Sequence, residues 1–344
     1  MREALLAYLA CPRCGGDLSL EHPSPAGAEE IEAGELGCRG CGVVATIREG
    51  IPDFTGAPPD ESVQRTAENF GYSWNSFHQT EEHFDEQFWA WVAPVTAGDF
   101  RGKVVLDAGC GMGRHCELAG KAGAKAVVAV DFSSAVFPAR RRVRDLENVH
   151  VVRADIYALP VKRCFDIAYS VGVLHHLPDP YRGFSSVVGR VKPGGRMIAW
   201  VYGAENNGWI TRIVSPLRER VLSRLPMPVL KAMAFGLTAG ALYPALKGVY
   251  GPAARTPLLA PLSKRLFYSD YLTSIAPYSF NHVHGIVFDH LLAPIAYYLS
   301  REDLERWARE TSLAEPVLRW HNRMSWTLVG GVPKARAGRA ATRA

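Results

Sequence analysis

The residues best suited to chemistry lie in one short stretch, Val104-Val-Leu-Asp-Ala-Gly-Cys-Gly-Met-Gly-Arg114. An apolar run ends on a carboxylate, Asp107, and glycines recur at 109, 111 and 113. A buried strand that stops at an acid and turns through close glycines lets backbone approach a ligand that side chains would block. A dinucleotide loop would read Gly-x-Gly-x-x-Gly. Here the third glycine comes one place early, and Arg114 follows it. Carboxylates recur downstream. Asp131 is placed to accept both hydrogen bonds of a ribose diol, and Asp155 to accept from an exocyclic adenine amine while Ile156 covers the ring. One such acid alone reads as a helix cap. A series of them after a glycine loop reads as a ligand site.

A second constellation is made of thiols. Of seven cysteines, four form Cys11-Pro-Arg-Cys14-Gly and Cys38-Arg-Gly-Cys41-Gly. Each pair points two thiolates at one ion, and the glycine after it permits the tight turn. The expected result is a closed tetrahedral site for structural zinc, with no open position for chemistry; a redox pair or a disulfide framework is the alternative. Pro23-Ser-Pro-Ala-Gly-Ala-Glu-Glu30 reads as a loop between the hairpins.

These residues need elements to hold them. Strands are expected over Val104–Asp107, Ala126–Asp131, Val149–Arg153, Phe165–Ser170 and Arg196–Tyr202, with amphipathic segments between. Strand alternating with helix makes an α/β doubly wound sheet with a mainly parallel core, whose ligands sit at the carboxyl ends of the strands. Ser170 to His176 would then face the reacting end of the ligand. Ser300 opens a helix as a capping box with Asp303, and Val317–Trp320 and Ser325–Val329 read as a closing hairpin.

Taken together, residues 100 to 202 resemble the class I S-adenosylmethionine-dependent methyltransferases. Leu106-Asp-Ala-Gly-Cys-Gly-Met-Gly113 looks like their first motif, Val130-Asp131 their second, Ala154-Asp155 their third and Phe165 to His176 their fourth, with Lys192-Pro-Gly-Gly195 before the fifth strand. The resemblance implies a Rossmann-like seven-stranded fold and S-adenosylmethionine as cofactor. It places Asp107, Gly109, Cys110, Gly111 and Gly113 at the methionyl end, Asp131 and Phe132 at the ribose, Asp155 and Ile156 at the adenine, and Ser170 nearby. Residues 5 to 54 resemble the small zinc-ribbon proteins that activate eukaryotic RNA and protein methyltransferases.

The chain thus divides into a zinc ribbon (1–55), a linker and aromatic helical lid (56–100), a donor-binding core (101–202), an insertion (203–299), the closing helix and hairpin (300–331) and a disordered basic tail (332–344). Phe70-Gly-Tyr-Ser-Trp74 is the expected lid over the glycine loop. The insertion lies next to the methyl donor and should build the acceptor pocket. His175 and His176 are the expected catalytic bases, with Asp289, Tyr297, Tyr298, His321 and Arg323 as substrate contacts. The histidines at 282, 284 and 290 raise a second metal as a lesser alternative.

At 344 residues and 48% hydrophobic, the chain can bury a sizeable core and is not disordered. Its 39 basic against 34 acidic residues argue neither for nor against nucleic acid. The N-terminus lacks a signal peptide, and the longest charge-free run, Ala232 to Leu246, is too short to span a bilayer. A cytoplasmic protein follows, with peripheral membrane contact compatible with the insertion and the oligomeric state left open. The acceptor expected is a small, apolar or aromatic molecule. The alternatives are an RNA methyltransferase docked through its ribbon and a non-catalytic cofactor-binding scaffold. Nucleic acid is disfavoured, because the ribbon sets Arg13 and Arg39 against Asp17, Glu21, Glu29, Glu30, Glu32 and Glu35.

Overall fold

The computed structural model describes residues 1–24, 29–56, 61–77, 83–256, 261 and 264–334, the side chains of 61–63 and 67 excepted. From residue 335 on, the expected tail lies outside the described residues, as do 25–28 of the inter-hairpin loop and 57–60 of the linker.

The central strands are runs of Val, Ile, Leu and Ala, the signature of parallel strands covered on both faces. They are β5 (Val104–Ala108), β6 (Ala126–Asp131), β7 (Val149–Arg153) and β8 (Phe165–Val171). Next comes β9 (Val191–Tyr202), which begins earlier than expected because Lys192-Pro-Gly-Gly195 is absorbed as an irregular start. The closing hairpin is β10 (Ala314–His321) and β11 (Ser325–Gly331), and β11 runs antiparallel to β9. Before β10, the helix Arg301–Glu310 starts on the Ser300–Asp303 capping box.

The N-terminal strands are β1 (Leu18–Ser24), β2 (Ala33–Cys38), β3 (Gly42–Arg48) and β4 (Ile51–Asp53). They do not form a separate sheet. The order is β1-β2-β3-β4-β7-β6-β5-β8-β9-β11-β10, so the seven strands of the core continue into four of the ribbon. The join is the parallel pairing of Asp53 with Arg153, reinforced by an ion pair between them at 3.2 Å. Leu5, Leu9, Ile31, Leu36 and Ile47 share one apolar cluster with Val152 and Val161 of the core. Glu30 pairs with Arg140 at 2.8 Å across the same seam, and with Arg2 of the ribbon itself at 2.9 Å. Ribbon and core therefore share a sheet and a core.

Two helices precede the core. Helix α1 (Glu61–Ser76) passes over the glycine loop, and α2 (Phe84–Val92) buries Phe84, Phe88 and Val92. The insertion is helical. It contains α3, the continuous helix Met227–Arg255, which is interrupted by π-helical turns, then α4 (Ser269–Ile275) and α5 (Phe280–Leu292). By length and composition α3 could cross a membrane, which counting charge-free residues had hidden because Lys231 and Lys247 lie inside it. Lys247 disposes of its charge locally, donating to the carbonyls of Ala276, Pro277 and Tyr278 at 2.7, 3.2 and 2.9 Å.

Candidate functional site

The glycine loop between β5 and the helix Arg114–Lys121 turns through three residues with positive φ, Gly109 at 94°, Gly111 at 51° and Gly113 at 85°. A side chain at Gly109 would run into Val173, and a Cβ on Gly111 would stand 3.3 Å from Trp74 Nε1 on α1. The loop is thus a floor with a tryptophan above it. Beneath that roof lies a cavity of about 690 Å³ at the carboxyl ends of the strands.

Gly109, Cys110, Gly111, Asp131, Phe132, Asp155 and Ile156 all line this cavity. Asp131 is fixed at the end of β6: Oδ2 accepts from the Gly111 amide at 2.8 Å, and Oδ1 accepts from the Ser133 amide at 2.8 Å and hydroxyl at 2.7 Å. Asp155 Oδ1 accepts from the Tyr157 amide at 2.9 Å. The two acids are held by backbone donors, which orients each before any ligand arrives.

Other expected contacts are placed elsewhere. Asp107 is fully buried and is not in the lining. Its register partner on β8 is Tyr169, whose hydroxyl donates to Oδ2 at 3.1 Å, while Oδ1 has no partner. Burial pushes the Asp107 carboxyl up to about 8. Ser170 is also fully buried, its hydroxyl donating to the Ala108 carbonyl at 2.8 Å, so it ties β8 to β5 and does not face the cavity. Gly113 sits behind the lining, where a Cβ would stand 2.9 Å from Ala139 Cα.

The two adjacent histidines separate sharply. His175 is fully buried, stacked 4.0 Å from Tyr202, with neither ring nitrogen bonded, and is absent from the lining. Burial holds it well below the ordinary histidine range, so it is a neutral packing residue. His176 lines the cavity, 4.8 Å from the Phe70 ring. Its Nδ1 lies 2.7 Å from the Ile295 carbonyl. A carbonyl only accepts, so Nδ1 carries the proton and Nε2 keeps a lone pair. Burial lowers His176 to about 4, leaving it neutral in ordinary buffers.

From the insertion, Asp289 lines the cavity and accepts from the Ser73 hydroxyl of α1 at 2.6 Å. Burial raises its carboxyl to about 6, and the nearby Arg114 pulls the other way. His321 is also in the lining. Tyr297, Tyr298 and Arg323 are not: Tyr297 is exposed, Tyr298 is half-buried with its ring stacked 5.7 Å from Tyr202, and Arg323 faces Asp270 at 3.7 Å beside a smaller hollow. The three insertion histidines do not converge. His282 stacks 4.2 Å from Tyr278, His284 meets the Lys231 carbonyl at 3.1 Å, and His290 meets that of Ile286 at 2.9 Å.

Arg114 was not among the expected site residues, yet its guanidinium lines the cavity among the rings of Phe84 (4.7 Å), Trp74 and Trp91 (both 5.6 Å). Burial lowers it to about 10, still cationic at neutral pH. Its place directly after the last glycine was the available signal. Trp200, Tyr202, Tyr271 and Tyr278 complete an aromatic wall.

At the other end of the sheet, Cys11, Cys14, Cys38 and Cys41 bring four sulfurs within 4.8 Å of one another, and no other metal-binding group of this kind occurs among the described residues. Gly15 and Gly42, which follow the two pairs, adopt φ of 75° and 70°, the left-handed turn each knuckle requires.

Comparison with known proteins agrees with this anatomy. Residues 106–199 match a methyltransferase-domain family, and residues 2–50 match the Trm112p-like proteins. A tRNA U34 carboxymethyltransferase of Pseudoalteromonas translucida is 35% identical over 101 residues, 28% of this chain and 31% of that protein. The one from Shewanella amazonensis is 29% identical over 171 residues, covering 41% and 50%. The chain thus spans 31% and 50% of the length of these two relatives. Among solved structures, an S-adenosylmethionine-dependent methyltransferase from Mesorhizobium loti is similar at 32% identity over 30% of this chain and 48% of that one, TM-score 0.29. A complex of the Haloferax volcanii Trm112 methyltransferase activator with its candidate methyltransferase is similar at 22% identity over 46% and 69%, TM-score 0.35.

Fold and sequence likeness thus agree on a methyltransferase-type domain over residues 106–199, with a Trm112p-like ribbon of four clustered cysteines in the same polypeptide.

The likeness also corrects two expectations. A small apolar acceptor, with nucleic acid unlikely, is overturned by relatives that act on tRNA. The expectation rested on the apolar insertion and the acidic balance of the ribbon, and neither feature excludes a nucleobase held among aromatic rings.

Proposed function

We propose that this protein transfers a methyl-type group from S-adenosylmethionine to a nucleobase of tRNA. The observation that carries this is the run of relatives named tRNA U34 carboxymethyltransferase. The cavity supports it. Enzymes that modify a base take it out of the stack and hold it between aromatic faces, reading its edge with a few polar groups. Trp74, Trp200, Tyr202 and Tyr278 supply such faces, and Gln87, His321 and Asn322 supply polar edges in the same lining.

In this reading Asp131 takes the ribose hydroxyls of the donor, Asp155 and Ile156 its adenine, and the Gly109–Gly111 backbone its methionyl end. The bound donor supplies the electrophilic carbon, so the chain's own task is alignment, exclusion of water and removal of a proton. Asp289 is the group suited to that last task. Its carboxyl, raised to about 6, is ionised at neutral pH but only weakly solvated, and it faces the cavity from the insertion. His176 Nε2 offers a neutral acceptor on the opposite side.

The four thiols are a fit for zinc. A Zn–S bond of about 2.3 Å sets sulfurs about 3.8 Å apart, and Cys14 Sγ and Cys38 Sγ stand at 3.5 Å. That ion would be structural and closed to substrate. A cytoplasmic location belongs to the same reading.

The test is incubation of the protein with methyl-labelled donor and total tRNA from a strain lacking its gene. Label that precipitates with RNA and is released by nuclease digestion is the expected result. Turnover that leaves RNA unlabelled and marks only small molecules would refute the reading.

A further inference from the structure

Helix α3 poses a problem of burial. It is 29 residues long and its most apolar window has a mean hydropathy of 1.4, yet only 22% of that window is buried. A helix apolar on all sides belongs in a core or in lipid. Here Leu230, Ala234, Thr238, Leu246 and Tyr250 form one narrow buried stripe, packed against α5 and the end of α4. Along another face Val229, Met233 and Leu237 recur every four residues and are between 40% and 51% exposed, while Phe235, 52% exposed, stands on the other flank with its ring 5.3 Å from that of Phe280.

The preceding segment does the same. Ile213, Leu217 and Val221 recur every four residues along one helical face and are between 48% and 65% exposed. Surface apolar residues are ordinary singly; two adjoining helical segments presenting them in rows are not. The same stretch of chain carries Arg212, Arg220, Arg224, Arg255, Lys264 and Arg265, all exposed, with Glu219 the sole acid between residues 206 and 269.

From this combination we infer that the outer face of the insertion is a docking surface for an anionic phospholipid bilayer. Apolar side chains enter the headgroup boundary while flanking Lys and Arg meet lipid phosphates, which is how interfacial helices bind. Charge decides the occupant. A second copy of the chain would bring another strongly basic face against this one, a repulsive pairing. RNA would satisfy the arginines but leave Ile213, Leu217 and Leu237 without an apolar partner. An anionic bilayer satisfies both sets. The buried stripe keeps α3 against the body of the protein, so the helix lies in the plane of the interface and does not span.

The inference is independent of what the acceptor is. It is tested on the full-length protein by co-sedimentation with vesicles of phosphatidylcholine containing one third phosphatidylglycerol, and with vesicles of phosphatidylcholine alone. Binding to the anionic vesicles alone, weakening with added salt, is expected. The doubly substituted F235E/L237E and R220E/R224E proteins should each bind about tenfold more weakly while keeping the wild-type circular dichroism spectrum and donor affinity. Equal recruitment to both vesicle types, or to neither, overturns the inference. So does tRNA affinity that falls in R220E/R224E but is untouched in F235E/L237E, without any vesicle binding; that outcome assigns the face to RNA. A dimer that F235E/L237E converts to monomer, again without vesicle binding, assigns it to self-association.

Discussion

The cavity has two walls built on different principles. The wall made by the sheet holds its polar groups with backbone amides at strand ends: Asp131 takes the Gly111 and Ser133 amides, and Asp155 takes that of Tyr157. The wall made by the insertion holds its polar groups with side chains from distant elements: Asp289 depends on Ser73, far away in sequence. Asp289, mainly desolvated, has its carboxyl raised to about 6. In the proposed function the first wall holds the donor and the second exchanges a proton. Each substitution below sets the two against each other.

The largest effect is expected at Asp289. Replacement by Asn keeps the shape and removes the base, so kcat at pH 8 should fall about 100- to 1000-fold while donor affinity stays within about twofold. The wild-type rate should decline as pH drops through about 6, because protonation of Asp289 removes the base, and the variant's residual rate should lose that limb. A variant whose donor affinity collapses along with kcat would erase the division between the walls.

Asp131→Ala comes next and acts in the opposite way. Loss of charge-assisted hydrogen bonds, about 1.5–3 kcal/mol each, should weaken donor binding about 100-fold in calorimetry. At saturating donor the rate should recover most of its value. His176 lies on the rim between the walls, and His176→Gln should cost about tenfold in kcat with no new pH limb above about 5, since the native ring is already neutral there. A limb near neutrality lost in this variant would transfer the base from Asp289 to His176.

The difference between the walls also explains what the sequence disclosed. Strand ends, glycine loop and thiol pairs are local patterns, so the core strands, Asp131, Asp155 and the two cysteine pairs were legible from spacing. The eleven-stranded continuity was not, because the pairing of Asp53 with Arg153 joins segments a hundred residues apart and leaves no local trace. His175 and His176 look alike in sequence, and only the packing of Tyr202 and Phe70 tells the buried ring from the one in the cavity. Arg114, hidden behind a glycine motif, acquires its meaning from three rings on other elements.

Asp107 is where the comparison is sharpest, because the family resemblance assigns it to the donor while its side chain stands behind the wall. Register places it beside Tyr169, one layer below the loop, where burial raises its carboxyl to about 8. Its folded value therefore lies above the unfolded one, so the stability it contributes is fully present below about pH 4 and is lost as pH rises through about 8. Asp107→Asn keeps an acceptor for the Tyr169 hydroxyl and removes the titration. Compared with wild type, the variant should gain stability between pH 5 and pH 9, on the order of 2 kcal/mol by urea unfolding. Donor affinity near pH 7 should change by no more than about threefold, the smallest of these effects, because the native carboxyl is already neutral and out of reach. Donor binding lost to the extent seen in Asp131→Ala, with no pH-dependent gain in stability, would show that Asp107 turns toward the ligand as an ionised member of the sheet wall.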